Sequence, residues 1–585
     1  MSGGALGEKA RLARFVAAQG ARVAWRRLAA LAAAPFRAAG RTPDKLVIAP
    51  QDLRTSDPTR AGEIYAGLYV FAGKTVDVRG GSPFQSDAPS DGWAEALHGF
   101  GWLRHLRAAD TTLARANARA LVDEWIGLRG GRHAAVARAP HVAARRLIAW
   151  LCHSPLILDG ADRAFYRRFL RSLARQTRQL GRLRAVADDG LPRLAADCAL
   201  TYAGLCLAGE NRLLKTAARQ LADELDRQIL ADGGHIGRNP AALVEILLDL
   251  LPLRQAFAVR GVAPPQALLN AIDRAMPMLR FFRHGDGDFV QFNGAGPAQG
   301  DLIATVLAYD DARGAPLEDA PHSGYQRVAA GEALLVADVG APPPPPLSAT
   351  AHAGALAFEF SSGTEQIIVN CGVPRHGRER WEASRATAAH STAVIDDTSS
   401  CRFTRSPLLK RLIGPLILAG PRAPTSRRER DDGGVRLVAS HDGYRARFGV
   451  WHDRSLRLSA GGDRLDGEDA FRTAEGAKPP EAKVALRFHL HPAVRASVTQ
   501  DGQGVVLALA SGAGWLFAAA GATAELEESV HLSGAHGPRR TEQIVIRAPL
   551  RGAPKIAWSL RRLETDAGGT RRSRLPSSAE GPTLL

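Results

Sequence analysis

The chain is short of several things, and each shortage narrows what it can be. No run of about 18 or more apolar residues occurs, so no segment reads as a membrane-spanning helix. Only five cysteines are present among 585 residues: Cys152, Cys198, Cys206, Cys371 and Cys401. None forms a CxxC pair, which argues against a zinc ribbon and a disulfide framework and leaves buried free thiols as the expectation. Zinc-finger, RNP and helix-turn-helix signatures are missing, so no nucleic-acid partner is expected. An EF-hand is missing too. Asp286-Gly-Asp288 lacks the other acidic ligands and reads as a plain β-turn.

What is present is a long, strongly basic chain. Its length is too great for one core, so two or three domains are expected. Hydrophobic residues make up 45% and charged residues 23%, as in ordinary globular proteins. Lys and Arg number 76 against 59 Asp and Glu, a net charge of +17. That balance favours polyanionic partners. Arg outweighs Lys, and its planar fork matches carboxylates and sulfates in a bidentate way. The bland alternative is a genome whose base composition enriches Arg and Ala.

In residues 1–40, Arg11, Arg14, Arg22, Arg26, Arg27 and Arg37 punctuate Ala, Leu and Val. A cleaved signal wants an uninterrupted apolar core after its basic start, so no clear signal peptide is read. The segment suits a basic amphipathic helix, either docked on the first domain or in peripheral contact with an anionic membrane. The expected location is the cytoplasm or the cell envelope.

Residues 41–90 are loop-rich, broken by Pro50, Pro58, Gly80-Gly81-Ser82-Pro83 and Pro89. Trp93, His98, Trp102 and His105 follow. They could stack on sugar rings, but core packing is the more ordinary role. Apolar residues then recur at three- and four-residue spacing over 109–128, 142–153, 162–180, 194–208, 212–229, 241–259 and 266–282. Such serial hairpins build a helical bundle, solenoid or toroid. Beyond about residue 330 the pattern shortens to strand-like runs at 333–339, 355–360, 366–370, 392–395, 435–439, 448–451, 456–459, 484–489, 505–510, 543–547 and 556–560. Gly- and Asp-rich turns separate them, as in an antiparallel sandwich. Residues 421–433 and the tail after 564 are charged or small, and no fixed structure is expected there.

The most informative stretch is His352 to Asp397. It contains His352-Ala-Gly, then Val369-Asn-Cys-Gly372, then Arg385-Ala-Thr-Ala-Ala-His-Ser-Thr392. His352, Asn370 and His390 each lie at the end of a strand-like run. A second stretch is Gln228-Ile-Leu-Ala-Asp-Gly-Gly-His-Ile-Gly-Arg-Asn-Pro240. Together these resemble the heparinase II/III polysaccharide lyases, over about residues 90–560. The resemblance implies an N-terminal incomplete (α/α) toroid followed by a C-terminal antiparallel β-sandwich. It divides the chain into a basic helix and arm (1–90), a toroid (91–285), a heparinase II/III-like sandwich (286–563) and a tail (564–585).

The resemblance also says what the site should contain. Active relatives place a Tyr-His pair just after the proline of the second stretch, where this chain has Ala242 and Leu243. An earlier Asn-His pair is replaced by residues such as Leu191, Pro192 and Arg193. A histidine preceding the metal-binding one is Thr350 here. Cleaving a uronate chain by β-elimination needs a base for the C5 proton, neutralisation of the neighbouring carboxylate, and a proton for the leaving oxygen. Tyr202, Tyr309, Tyr325 and Tyr444 are the other tyrosines that could transfer a proton; His235, Tyr444 and His441 are the favoured candidates, and Arg238, Asn239 and Arg385 those for holding the acidic sugar. His352, Asn370 and His390 stand where the resemblance puts a metal. No cofactor is required by the residues. Zinc is the one this trio would admit, weakly, because Asn replaces the usual acid. The leading expectation is a lyase acting on an acidic polysaccharide. The alternative is a degenerate member that only binds such a glycan.

Overall fold

A computed structural model describes residues 10, 13–25, 28, 41–296, 300–309, 314–375, 377–475, 477–478, 480–534, 537–551 and 555–563. The tail after 564 lies outside the described residues, as does most of the segment between 26 and 40. Residues 13–25 are helical, as the basic N-terminal pattern suggested. No helix among the described residues is long and apolar enough to cross a membrane.

The first half is a ring of antiparallel helices. Side-chain caps open several of them: Ser90, Thr111 and Asp162 each accept from the backbone N–H three residues on. Helix Arg163–Leu183 is amphipathic and turns Phe165, Phe169, Leu173 and Leu180 inward. Helix Ala241–Val259 is apolar on nearly every side and accordingly lies within the core. Helices Leu191–Cys206 and Asn211–Gln228 pack closely because Gly204 has no side chain. A Cβ there would come within 2.7 Å of the Leu214 Cα. The arm before the ring contributes a small hairpin, Leu68–Phe71 with Lys74–Asp77.

The second half is a sandwich of two antiparallel sheets. One runs in the order Thr425–Asp431, Gly434–His441, Val450–Ser459, Arg464–Thr473, Lys555–Arg562, Gly514–Ala520, Gly504–Ala508 and Arg495–Val498. The other runs Ala524–His531, Arg539–Pro549, Lys483–Leu490, Glu365–Val369, Phe358–Ser362, Ala333–Asp338, Tyr325–Ala330 and Asp319–Ala320. Val450–Ser459 alternates buried and half-buried residues along its whole length, the period of a sheet with one face inward. Phe358, Phe517 and Trp558 stack between the sheets, with centroids 5.7 Å apart in each stacked pair involving Trp558.

Three differences from the sequence reading have physical reasons. The run 448–451 begins in a short helix, Arg445–Phe448, and its end joins 456–459 in one strand, Val450–Ser459, in which Asp453 and Arg454 pair with Arg472 and Asp469 of the neighbouring strand. Residues 421–433 contain the strand Thr425–Asp431, a charged edge strand whose pattern hides its pairing with Gly434–His441. Strands Arg464–Thr473, Gly514–Ala520 and Ala524–His531 were not anticipated.

The apolar core of the helical half extends to Tyr325, Leu334 and Val336 of the adjoining sheet, and a second core lies between the two sheets. Arg238 fastens the two halves further. It reaches from the helical half to the carbonyls of Ser323 (2.6 Å), Ala341 (2.7 Å) and Gly324 (3.0 Å) and pairs with Asp338.

Candidate functional site

The helical half carries a pocket of about 260 Å³ lined by Asp52, Arg54, Arg60, Trp102, Arg104, His105 and Arg145, among others. A narrow extension shares Arg145 and is walled by Leu191, Leu194, Ala195, Glu245, Ile246 and Asp249. Buried acids hold two of the arginines. Arg54 donates to Glu245 (3.1 Å) and Asp249 (3.0 Å), and Arg145 grips both oxygens of Asp249 at 2.8 and 2.6 Å. Asp52 stays ionised. Burial works against its charge, but the His153 hydrogen bond and the Arg54 guanidinium outweigh it.

Arg104 differs from Arg54 and Arg145, and from the exposed Arg60 in being half-buried. Among the described residues it pairs with no carboxylate, and its Nε is buried without a hydrogen-bond partner. Burial lowers its pKa, yet an arginine remains charged. Asp52 and Glu245 act on it only from a distance, so a half-buried cation with unused hydrogen-bond donors is available to an anion. A larger hollow of about 660 Å³ lies elsewhere, walled by Leu46, Ile48, Leu156 and Tyr166. Its Arg115 is already neutralised by Asp110 and Asp159, so size is a poor guide here.

The residues expected to carry the chemistry are mostly engaged by the protein itself. His235 holds Gln228 Oε1 at 2.9 Å through Nε2 and accepts from the Gly237 N–H through Nδ1. Burial holds its pKa down to about 4, so it is neutral. Arg238 is the clamp between the halves and is only 8% exposed, so it has no donor to offer a sugar. Asn239 accepts from the Ala241 N–H at 2.9 Å, opening helix Ala241–Val259. Its amide is half-buried beside Gly294 and remains the most accessible of the three expected sugar contacts. Arg385 donates to the carbonyls of Ala351, Pro415 and Ser348 at 2.6–2.8 Å and lies between Trp381 and Phe403.

The two sandwich candidates are deeper still. Tyr444 is 1% exposed and donates to the Ala393 carbonyl at 2.6 Å. Burial pushes its phenol far above the ordinary range, the wrong direction for a proton carrier. His441 accepts from the Gly443 N–H at 3.0 Å and faces His452 at 3.4 Å. His452 in turn meets Asp469 at 2.6 Å. Asp469 also takes Arg454 (2.7 Å) and Trp558 (3.0 Å). This is a saturated network between the sheets, so neither Tyr444 nor His441 faces a cleft.

Of the remaining trio, the two histidines meet, and Asn370 binds the backbone next to His390. His352 Nδ1 lies 2.9 Å from His390 Nε2. His390 Nδ1 donates to the Ala386 carbonyl at 2.8 Å. Asn370 accepts from the Ser391 N–H at 2.9 Å and donates to Glu359 at 2.8 Å.

Comparison with known proteins now bears on this arrangement. Residues 312–559 match the family model "Heparinase II/III-like, C-terminal". The chain is 36% identical over 539 residues to FtsZ-localized protein C of Caulobacter vibrioides (strain NA1000 / CB15N), covering 89% of this chain and 91% of that protein. This chain belongs to the heparinase II/III family. A solved heparinase III shares the fold with a TM-score of 0.69 at 12% identity, covering 91% of this chain and 89% of that one. A mutant of the heparan sulfate lyase HepC from Pedobacter heparinus gives 0.63 at 15%, covering 94% and 89%. At such identities the likeness is one of architecture.

Within the heparinase II/III scaffold, the positions that the resemblance gives to Tyr-His are closed. Ala242 is 3% exposed and Leu243 fully buried. Leu191 walls the pocket extension where Asn-His was expected. The metal trio does not fit zinc either. His390 and Asn370 have both polar ends committed, and only His352 Nε2 is without a partner. Zinc takes three or four ligand atoms. Among the described residues no group of three His, Cys, Asp or Glu side chains is placed to hold a metal.

Several residues of the site escaped the sequence reading. Arg54, Arg104 and Arg145 are three arginines among dozens, and Glu359 and His284 lie in unremarkable contexts. The nearest signal was the cluster Trp102 and His105. Both pack in the core, yet both also line the pocket beside Arg104.

Proposed function

We propose that this chain is a binding member of the heparinase II/III family, which holds an acidic glycan in the arginine-lined pocket and does not cleave it. One observation carries the reading. The pocket keeps Arg104, which forms no salt bridge or side-chain hydrogen bond among the described residues, and Leu191, at the position that the resemblance gives to Asn-His, walls the neighbouring hollow. Elimination needs a base and an acid with accessible atoms. Among the histidines and tyrosines named as proton carriers or metal ligands, only His352 has an uncommitted nitrogen. That nitrogen is what favours the second reading, residual lyase activity.

An ultraviolet assay for unsaturated uronate ends, run over a panel of acidic polysaccharides alongside direct binding, separates the two. Binding of at least one glycan with a flat absorbance trace is the expected result. A rising trace would restore the lyase.

The named relative is described as FtsZ-localized, and we extend that location to this chain. A tagged copy should follow FtsZ in dividing cells. A peripheral contact with anionic membrane fits the same placement. Trp25 and Leu28 stand 70% and 61% exposed in the basic N-terminal segment. Sedimentation with anionic vesicles, but not neutral ones, tests it.

A further inference from the structure

The position that the resemblance assigns to zinc is built differently in this chain, and the hydrogen bonds show how. A carbonyl can only accept, so His390 must carry its proton on Nδ1, toward Ala386. Its Nε2 is therefore the acceptor for His352, whose proton sits on Nδ1. The two rings are joined directly, at 75° to each other, with centroids 5.0 Å apart.

The third member is fixed just as firmly. Asn370 must turn its amide nitrogen to Glu359, because a carboxylate only accepts, and its oxygen to the Ser391 N–H. Glu359 is fully buried, and all its other partners are donors. They are the N–H groups of Gln291 and Asn370, both at 3.0 Å, and His284 Nε2 at 3.0 Å. So Glu359 is satisfied by protein donors alone.

We infer that this cluster is a metal-independent latch tying the ends of three segments of the sandwich, and that Asn370 is the residue that makes it so. An acid at position 370 would face Glu359 across the distance now spanned by the amide. Two buried carboxylates in contact cannot both ionise unless a cation joins them. The amide removes the second charge and supplies the hydrogen that Glu359 needs. The inference is independent of the glycan-binding reading, since it concerns metal content alone.

The test uses the full-length wild type and Asn370→Asp, both produced in zinc-supplemented medium and dialysed. Zinc per chain is measured by mass spectrometry, and melting temperature is measured with added zinc and with chelator. The wild type should retain no stoichiometric zinc, and neither addition should move its melting point. Asn370→Asp should take up about one zinc per chain, melt lower in chelator and recover with zinc. A wild type that keeps about one zinc per chain and loses stability in chelator overturns the inference. So does a folded Asn370→Asp protein that ignores zinc. Should the variant fail to fold, the wild-type metal content and chelator response still decide whether the latch is metal-free.

Discussion

The helical pocket and the sandwich histidines have departed from the expected chemistry by opposite routes. In the helical half Ala242, Leu243 and Leu191 stand where the resemblance puts polar residues, while Arg104 forms no salt bridge among the described residues. In the sandwich the histidines and the tyrosine remain, but nearly every polar atom is used by the protein. An unsatisfied group at a pocket can serve a ligand. A saturated group in a core serves the fold. The two classes should therefore respond differently to mutation: the sandwich residues through stability, and the pocket residues through binding.

The largest effect is expected where saturation is most complete. Asp469 is fully buried and receives His452, Arg454 and Trp558. Burial opposes its charge, but Arg454 and His452 hold its carboxyl well below the usual range. Asp469→Ala strands a buried guanidinium and should cost roughly 3–5 kcal/mol. Denaturant unfolding measures this. A cost below about 1 kcal/mol, the scale of an exposed pair, would show that the network does not hold the sheets together.

Acid should act next. The His235 pKa is about 4 in the folded chain, set by burial, against about 6.5 in an unfolded one. The unfolded state thus binds more protons between these values, and the stability is present above pH 6.5 and lost as pH falls toward 4. This one residue contributes a slope of up to about 1.4 kcal/mol per pH unit. His235→Gln should flatten the stability profile of the protein in that window and leave it unchanged above pH 7. Equal slopes in both proteins would mean that His235 is already protonated in the fold.

How much of this could be read from the sequence depends on what kind of signal each feature leaves. Helix 241–259 was legible to the residue because a long, largely apolar run between breakers records burial directly. The His352 to Thr392 block was legible as a strand-and-histidine cluster, and the structure does join His352 to His390, with Asn370 on the backbone next to it. Whether a polar residue is committed was not legible. Arg238 and Arg385 look like sugar-binding arginines in one dimension, yet their partners are backbone carbonyls up to 103 positions away. Main-chain acceptors have no sequence signature. Arg104 was missed for the converse reason, since its distinction is a partner it lacks.

Arg104 sharpens the comparison from the binding side. With no salt bridge or side-chain hydrogen bond to lose, Arg104→Ala should leave the melting point nearly unchanged. A charge-assisted hydrogen bond to a ligand is worth about 1.5–3 kcal/mol, so glycan binding should weaken roughly 10- to 100-fold. Calorimetric titration gives the affinity and a thermal melt the stability. Unchanged affinity would remove the pocket from the proposed function, and a large loss of stability would place Arg104 with the saturated class.

Tyr444→Phe carries the smallest expected effect and the cleanest division between the two classes. The ring stays in place beside His441 and Phe448, and only the hydroxyl is removed. That hydroxyl holds the carbonyl of Ala393, in the short strand that pairs with Lys483–Leu490. Losing one such bond costs about 1 kcal/mol, a small fall in melting point with no change in glycan affinity. A proton carrier would behave the other way, with stability kept and any elimination activity abolished. A phenol that is 1% exposed, with its hydrogen given to a main-chain carbonyl, has no route to a sugar without opening the sandwich. The loss should therefore appear in unfolding curves alone.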